Sequence, residues 1–126
     1  FLTGAGGHHC GLGNAEKTAA LYAGLHPSMI NMSMLTVVPG TPLYRLMNTG
    51  RYEESTEKEK LEEAREFVRC IQNETVYMTE HASNQFHVCC NLPEDREAVM
   101  KYIQKMIDEK DENELRRYRE RIARVF

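Results

Sequence analysis

Met29-Ile30-Asn31-Met32-Ser33-Met34-Leu35-Thr36-Val37-Val38 runs directly into Pro39-Gly40-Thr41-Pro42, and the reading of this stretch decides the fold. Ile30, Met32 and Met34 alternate with Asn31 and Ser33 before the run turns continuously apolar, which is the pattern of a buried strand. Pro39 stops ladder pairing, Gly40 permits a positive φ, Thr41 is a good helix N-cap and Pro42 suits the first helical position. A short helix from Leu43 to Asn48 is therefore expected, closed by Gly50 as a left-handed C-terminal cap.

Upstream, the tail of a strand at Phe1-Leu2-Thr3 opens into Gly4-Ala5-Gly6-Gly7, and Asn14 can cap a helix over Ala15 to Leu25 that His26-Pro27 ends. Strand, helix, strand in this order suggests βαβ units and a parallel sheet, because parallel neighbours need a crossover of about a dozen residues. Downstream, Thr56 and Glu59 have capping-box spacing, and Leu61, Ala64, Val68 and Ile71 mark the apolar face of a helix from Glu57 to Gln72. Thr75 to Thr79 reads as a further strand, ending at the polar run His81-Ala82-Ser83-Asn84. Val99, Ile103, Met106 and Ile107 define a helix after Pro93. Asp111 with Glu114 opens a last one, whose face is Leu115, Tyr118, Ile122 and Val125. The tally is two or three strands and five helices, too few strands for a closed parallel barrel of about eight.

The 126 residues, 41% apolar and 28% charged, suit one domain, residues 1–126, that folds without disulfide or metal staples. Sixteen basic against 19 acidic residues leave a net charge of −3, so there is no overall electrostatic reason for a nucleic-acid partner. Two charged runs stand out: Arg116, Arg117, Arg119, Arg121 and Arg124, and the glutamate-rich Glu53 to Glu66. Both are read as solvated helix faces. The sequence has neither an uninterrupted apolar window of membrane-spanning length nor a basic-then-apolar leader, so no membrane association is expected and the expected compartment is the cytoplasm.

The glycine loop lies at the carboxyl end of a strand, where α/β proteins place ligands, yet it matches no phosphate signature. His9 stands where a dinucleotide fingerprint needs its third glycine, and Leu12-Gly13 replaces the Lys-Ser/Thr of a phosphate loop. A turn needing unusual dihedrals and a cofactor-facing loop both remain open. His8-His9-Cys10 and Cys89-Cys90 offer zinc-type donors, but there is no C-x₂-C pair and neighbours on a strand point apart, so buried free thiols and no metal centre are expected; a small thiol or metal protein binding zinc or nickel through His8, His9 and Cys10 is a further alternative. No orienting third group marks a nucleophilic Cys-His pair. His81, Ser83 and Asn84 serve either a ligand or a turn.

The order of motifs carries more than any one of them. Gly4-Ala5-Gly6-Gly7, a helix, Leu35-Thr36-Val37-Val38-Pro39-Gly40-Thr41-Pro42-Leu43-Tyr44, a glutamate-rich helix, His81-Ala82-Ser83-Asn84 and Leu92-Pro93-Glu94-Asp95 together resemble the C-terminal half of radical S-adenosylmethionine (radical SAM) proteins. The likeness is greatest to the Fe-S oxidoreductase or coproporphyrinogen-oxidase-like subgroup, and runs to about Ile107. It implies an α/β fold in which residues 1–92 are the later βα units of a (βα)₆ partial TIM-type barrel and residues 93–126 are extra C-terminal helices. In that family a [4Fe-4S] cluster on a C-x₃-C-x₂-C loop cleaves S-adenosylmethionine to a 5′-deoxyadenosyl radical. The resemblance puts Gly4, Gly6 and Gly7 near that cofactor, Val38 and Pro39 near its adenine, and His81, Ser83 and Asn84 at the far edge of the barrel, facing substrate. No C-x₃-C-x₂-C occurs here, so the expectation is a fragment that is not catalytic alone, whose partner is the missing N-terminal half of the barrel. Its open strand edge is expected to drive self-association. The alternative is a free-standing α/β nucleotide- or anion-binding or interaction module.

Overall fold

The stretch that opens with Met29 forms two short strands and changes partners between them. In the computed structural model, which describes residues 1–125, β1 (Leu2–Thr3) is followed by α1 (Gly11–Leu25), β2 (Met29–Asn31), β3 (Ser33–Met34), α2 (Pro42–Asn48) and α3 (Glu57–Cys70). Then come β4 (Thr75–Met78), β5 (Cys89–Leu92), α4 (Arg96–Glu109) and α5 (Glu112–Ala123). β2 pairs in parallel with β4, and β3 pairs in parallel with β1. At the junction the Met32 N–H donates to Met78 O, while Ser33 N–H and Leu35 N–H donate to Phe1 O and Thr3 O. One extended segment thus joins the two small sheets.

The fold is α/β, but the sheet is mixed rather than wholly parallel, because β5 pairs antiparallel with β4. Cys89-Cys90-Asn91-Leu92 has no β-branched residue, and its strand character comes from pairing. Thr79 fixes the approach: its hydroxyl donates to Phe86 O and accepts from Val88 N–H. The predicted strand to Val38 also stops short, at Met34. Beyond Leu35 the ladder gives way to side chains: Leu35 O accepts from Lys60 Nζ, Thr36 Oγ1 from Arg119, and Val38 O from Thr41.

Register sorts the side chains onto two faces. Thr3, Met34, Ile30, Tyr77, Thr75 and Leu92 turn inward and are buried under the helices. Their neighbours Leu2, Met29, Asn31, Ser33, Val76, Met78, Cys89 and Asn91 turn the other way, and that face is exposed or half-exposed, Met29 at 56%. The helical side is anchored by α3. Leu61, Phe67, Val68 and Ile71 are fully buried, each worth about 1.5–3 kcal/mol of apolar burial. The Phe67 ring stacks on Phe1 at 4.3 Å and meets the edge of Tyr22 at 5.9 Å.

Both ends of the sequence argument about helices hold in part. α2 starts at Pro42 with Thr41 Oγ1 accepting from Tyr44 N–H, and Gly40 and Gly50 take positive φ as expected. The Thr56–Glu59 capping box is formed. α1, in contrast, begins at Gly11 rather than after Asn14, whose side chain donates instead to Glu63. Val125 is exposed because α5 ends before it. Cys10 and Cys89 are exposed rather than buried.

The charged runs are not simply solvated faces. Glu57, Lys60 and Glu63 on α3 and Arg119 on α5 are buried. Arg119 joins α5 to α3 through Glu57, which Lys60 braces from its own helix, whereas Glu63 faces Gly4 and Asn14. Glu112 adds to the join by accepting the N–H groups of Glu57 and Lys58. With the capping box, this satisfies all the donors that open α3.

Candidate functional site

Because β1, β3 and β4 run parallel, the segments that follow them leave the sheet at one end: the glycine loop, residues 35–39 and the loop of residues 79–88. Every residue nominated from the sequence lies on one of these segments. Contacts between them are specific. Asn84 is buried, accepts from Met34 N–H through Oδ1 at 2.8 Å, and donates through Nδ2 to Met32 O and Thr79 O. It ties the loop after β4 to the middle segment. Ser83 is buried beside it, with its hydroxyl 2.8 Å from His81 Nδ1, while His81 itself is exposed.

Beneath these loops lies a charged cluster that the sequence did not announce. Arg119 binds both oxygens of Glu57 and donates to Thr36 Oγ1, Met34 O and Ser83 O. Lys60 Nζ reaches Glu54 and Glu57, both at 2.9 Å, and Leu35 O at 3.1 Å. Arg116 closes the group on Glu54. Burial opposes charge on Glu57, but Arg119 and Lys60 outweigh it and hold its carboxyl below the usual range. The only sequence signal for this cluster is charge at helical spacing, which a solvated face produces equally well.

The glycine loop is built inward. Gly4 and Gly7 have φ near +83° and +82°, and a Cβ on either would meet Lys60 at 3.0 Å or Glu53 O at 2.7 Å. Gly4 N–H donates to Glu63, Gly4 O accepts from Tyr52, Gly7 N–H donates to Gly4 O, and Cys10 N–H donates to Gly7 O. Burial raises the pKa of Glu63 despite the bonds from Gly4 and Asn14. Burial, with the charges of Glu54 and Glu63, pushes that of Tyr52 up to about 12. Of the nominated loop glycines, only Gly6 is exposed; Val38 is half-buried and Pro39 exposed.

The same loop carries His8 and His9 to Glu59, fifty residues on in sequence. His8 Nδ1 lies 2.7 Å from Glu59 Oε2 and His9 Nδ1 lies 3.2 Å from Oε1. Consecutive side chains normally diverge, but His9 has φ +61°, and the two imidazole centroids lie 3.6 Å apart with the rings tilted by 33°. The carboxylate is oriented by Thr56 N–H and His9 N–H. Burial works against its charge, but these bonds and His8 hold its pKa down to about 2. The hydrogen bond to Glu59 raises the pKa of His8. Among the described residues this is the one group of three His, Cys, Asp or Glu side chains with metal-binding proximity. The four cysteines are free and do not gather.

No helix among the described residues is long and apolar enough to cross a membrane. Comparison of the chain with family models, with curated proteins and with solved structures gives no match.

Proposed function

We propose that this chain is the C-terminal part of a cytoplasmic radical SAM iron-sulfur oxidoreductase of the coproporphyrinogen-oxidase-like kind, supplying later βα units of a (βα)₆ partial barrel. The observation that carries the reading is the one-sided sheet. Helices cover one face, while Leu2, Met29, Asn31, Ser33, Val76 and Met78 leave the other open, as the lumen face of an incomplete barrel would be. The outer side of β1 is an unpaired edge of the kind a preceding barrel strand would fill.

The residues present do not fit a [4Fe-4S] cluster. Cys89 and Cys90 point to opposite faces of β5, Cys10 precedes α1 and Cys70 ends α3, so no three thiols converge. The reading therefore assigns the cluster to the N-terminal half, and this chain is inactive alone. For S-adenosylmethionine, the positions free to touch a ligand are Gly6, Val38 and Pro39, and for substrate His81. Gly4, Gly7, Ser83 and Asn84 would act from behind, by fixing the loops. A free-standing nucleotide- or anion-binding module finds less support, since the N–H groups of Gly4, Gly7, His8, His9 and Cys10 are spent on internal acceptors.

The test is the coding sequence upstream of Phe1, where C-x₃-C-x₂-C is expected. Co-produced with that segment, the chain should support reductive cleavage of S-adenosylmethionine to 5′-deoxyadenosine, and alone it should not. An upstream sequence without the triplet ends the reading. The uncovered face should also make the isolated chain self-associate. Light scattering that gave a sharp monomer at micromolar concentration would count against an incomplete barrel.

A further inference from the structure

We infer that His8, His9 and Glu59 form a binding site for a divalent transition-metal ion of the zinc class. The donor set is two imidazoles and a carboxylate, which suits zinc and its neighbours and is poor for calcium or magnesium. Donors bound at about 2.0–2.1 Å around a tetrahedral ion stand about 3.4 Å apart. Here His8 Nδ1 lies 2.7 Å from Glu59 Oε2 and His9 Nδ1 3.2 Å from Glu59 Oε1. One ligand atom from each of the three side chains lies within 4.8 Å of the others, so the side chains must close in on a common ion without any change of backbone partner. Binding the ion at His8 Nδ1 removes the proton that this nitrogen shares with Glu59: a neutral ring carries it on Nε2 instead, and an imidazolium loses one proton to solvent.

Three features set this group apart from a chance surface cluster. The left-handed backbone at His9, uncommon for a residue with a Cβ, is what turns both rings toward one carboxylate. Glu59 is aimed by two backbone N–H donors, the kind of outer support that fixes a metal ligand. Its elements are also anchored independently, since Gly7 is wedged against Glu53 and Tyr52, and Glu59 belongs to the formed capping box of α3. The His9 side chain is 80% exposed, so a fourth position is open to water. A three-ligand site with solvent access is the arrangement that keeps a metal chemically available. None of the residues assigned above to S-adenosylmethionine or substrate takes part.

The test is titration of the full chain with zinc chloride by calorimetry, and with cobalt chloride by visible absorption. One equivalent should bind, and the cobalt spectrum should lack a thiolate charge-transfer band. His9→Gly removes a ligand while suiting the left-handed backbone, and His8→Asn removes one while keeping a donor toward Glu59. Each should weaken binding roughly tenfold or more, since losing even an outer-shell partner costs about 10- to 100-fold. Both variants should retain the wild-type circular dichroism, which separates loss of a ligand from loss of fold. Cys10→Ser should leave affinity unchanged. Absence of stoichiometric binding, unchanged affinity in both histidine variants, or loss in Cys10→Ser would overturn the site.

Discussion

Arg119 of α5 and Glu57 of α3 meet as a buried ion pair, Nη2 to Oε2 at 2.9 Å, with the guanidinium 3% exposed and the carboxylate not at all. The pair is the point at which the last helix is fastened to the carboxyl end of the sheet, because the same guanidinium holds Met34 O, Thr36 Oγ1 and Ser83 O. Breaking one side of a buried pair costs about 3–5 kcal/mol when the other charge is left alone, and because Lys60 still holds Glu57 the lower end of that range applies here. Arg119→Met is expected to lower stability by that order in urea denaturation. A loss below about 1 kcal/mol would mean that the cluster relaxes into solvent.

Stability should fall in acid through Glu57 and Glu59. The folded pKa of each lies below the unfolded value of about 4.3, that of Glu59 at about 2, so their contributions are complete above about pH 4.3 and are lost as pH drops through the folded values. Glu63, whose pKa is raised, has the opposite sign: its contribution is complete below about 4.3 and is lost as pH rises through the folded value. Urea midpoints should therefore decline from about pH 4.3 downward. In Arg119→Met this acid slope should be shallower, and an identical slope would remove Glu57 as a source of it.

Asn84 makes three buried hydrogen bonds to the main chain, two to the β2–β3 segment and one to Thr79 at the start of its own loop. Asn84→Ala leaves Met34 N–H and two carbonyls unpaired, at about 1–3 kcal/mol for each stranded group before relaxation. A destabilisation of roughly 2 kcal/mol or more is expected by thermal or urea unfolding. An Asn84 that serves only a ligand would leave the stability of the unliganded chain unchanged.

Tyr77 is fully buried and its hydroxyl has no partner among the described residues. Tyr77→Phe removes that stranded group and keeps the ring, so stability should stay level or rise by about 1 kcal/mol. A clear loss would reveal a water or other partner at the hydroxyl.

Thiol reactivity should divide by exposure. Cys10 and Cys89 are exposed, whereas burial, with the charges of Asp95 and Cys89, pushes the Cys90 thiol up to about 11. At pH 8 only about one Cys90 in a thousand is thiolate. Iodoacetamide should label Cys10 and Cys89 first by mass spectrometry, and prompt labelling of Cys90 would contradict the burial of its face of β5.

The sequence by itself determined the elements whose causes are local. Pro39-Gly40-Thr41-Pro42 turned and capped α2, the Thr56–Glu59 box started α3, and Leu61, Ala64, Val68 and Ile71 marked the face that became the core. Each depends on dihedrals, caps or period within a few residues. Tertiary structure alone decided β5, whose Cys-Cys-Asn-Leu has no strand signal until β4 is beside it. It alone turned Glu57, Lys60 and Arg119 from a solvated charge pattern into a buried lattice, because burial depends on what packs opposite. His8 and His9 were legible as possible ligands, but their meeting with Glu59 was not. The left-handed turn at His9 and the packing of the glycine loop against α3 close a gap of fifty residues that no local period encodes.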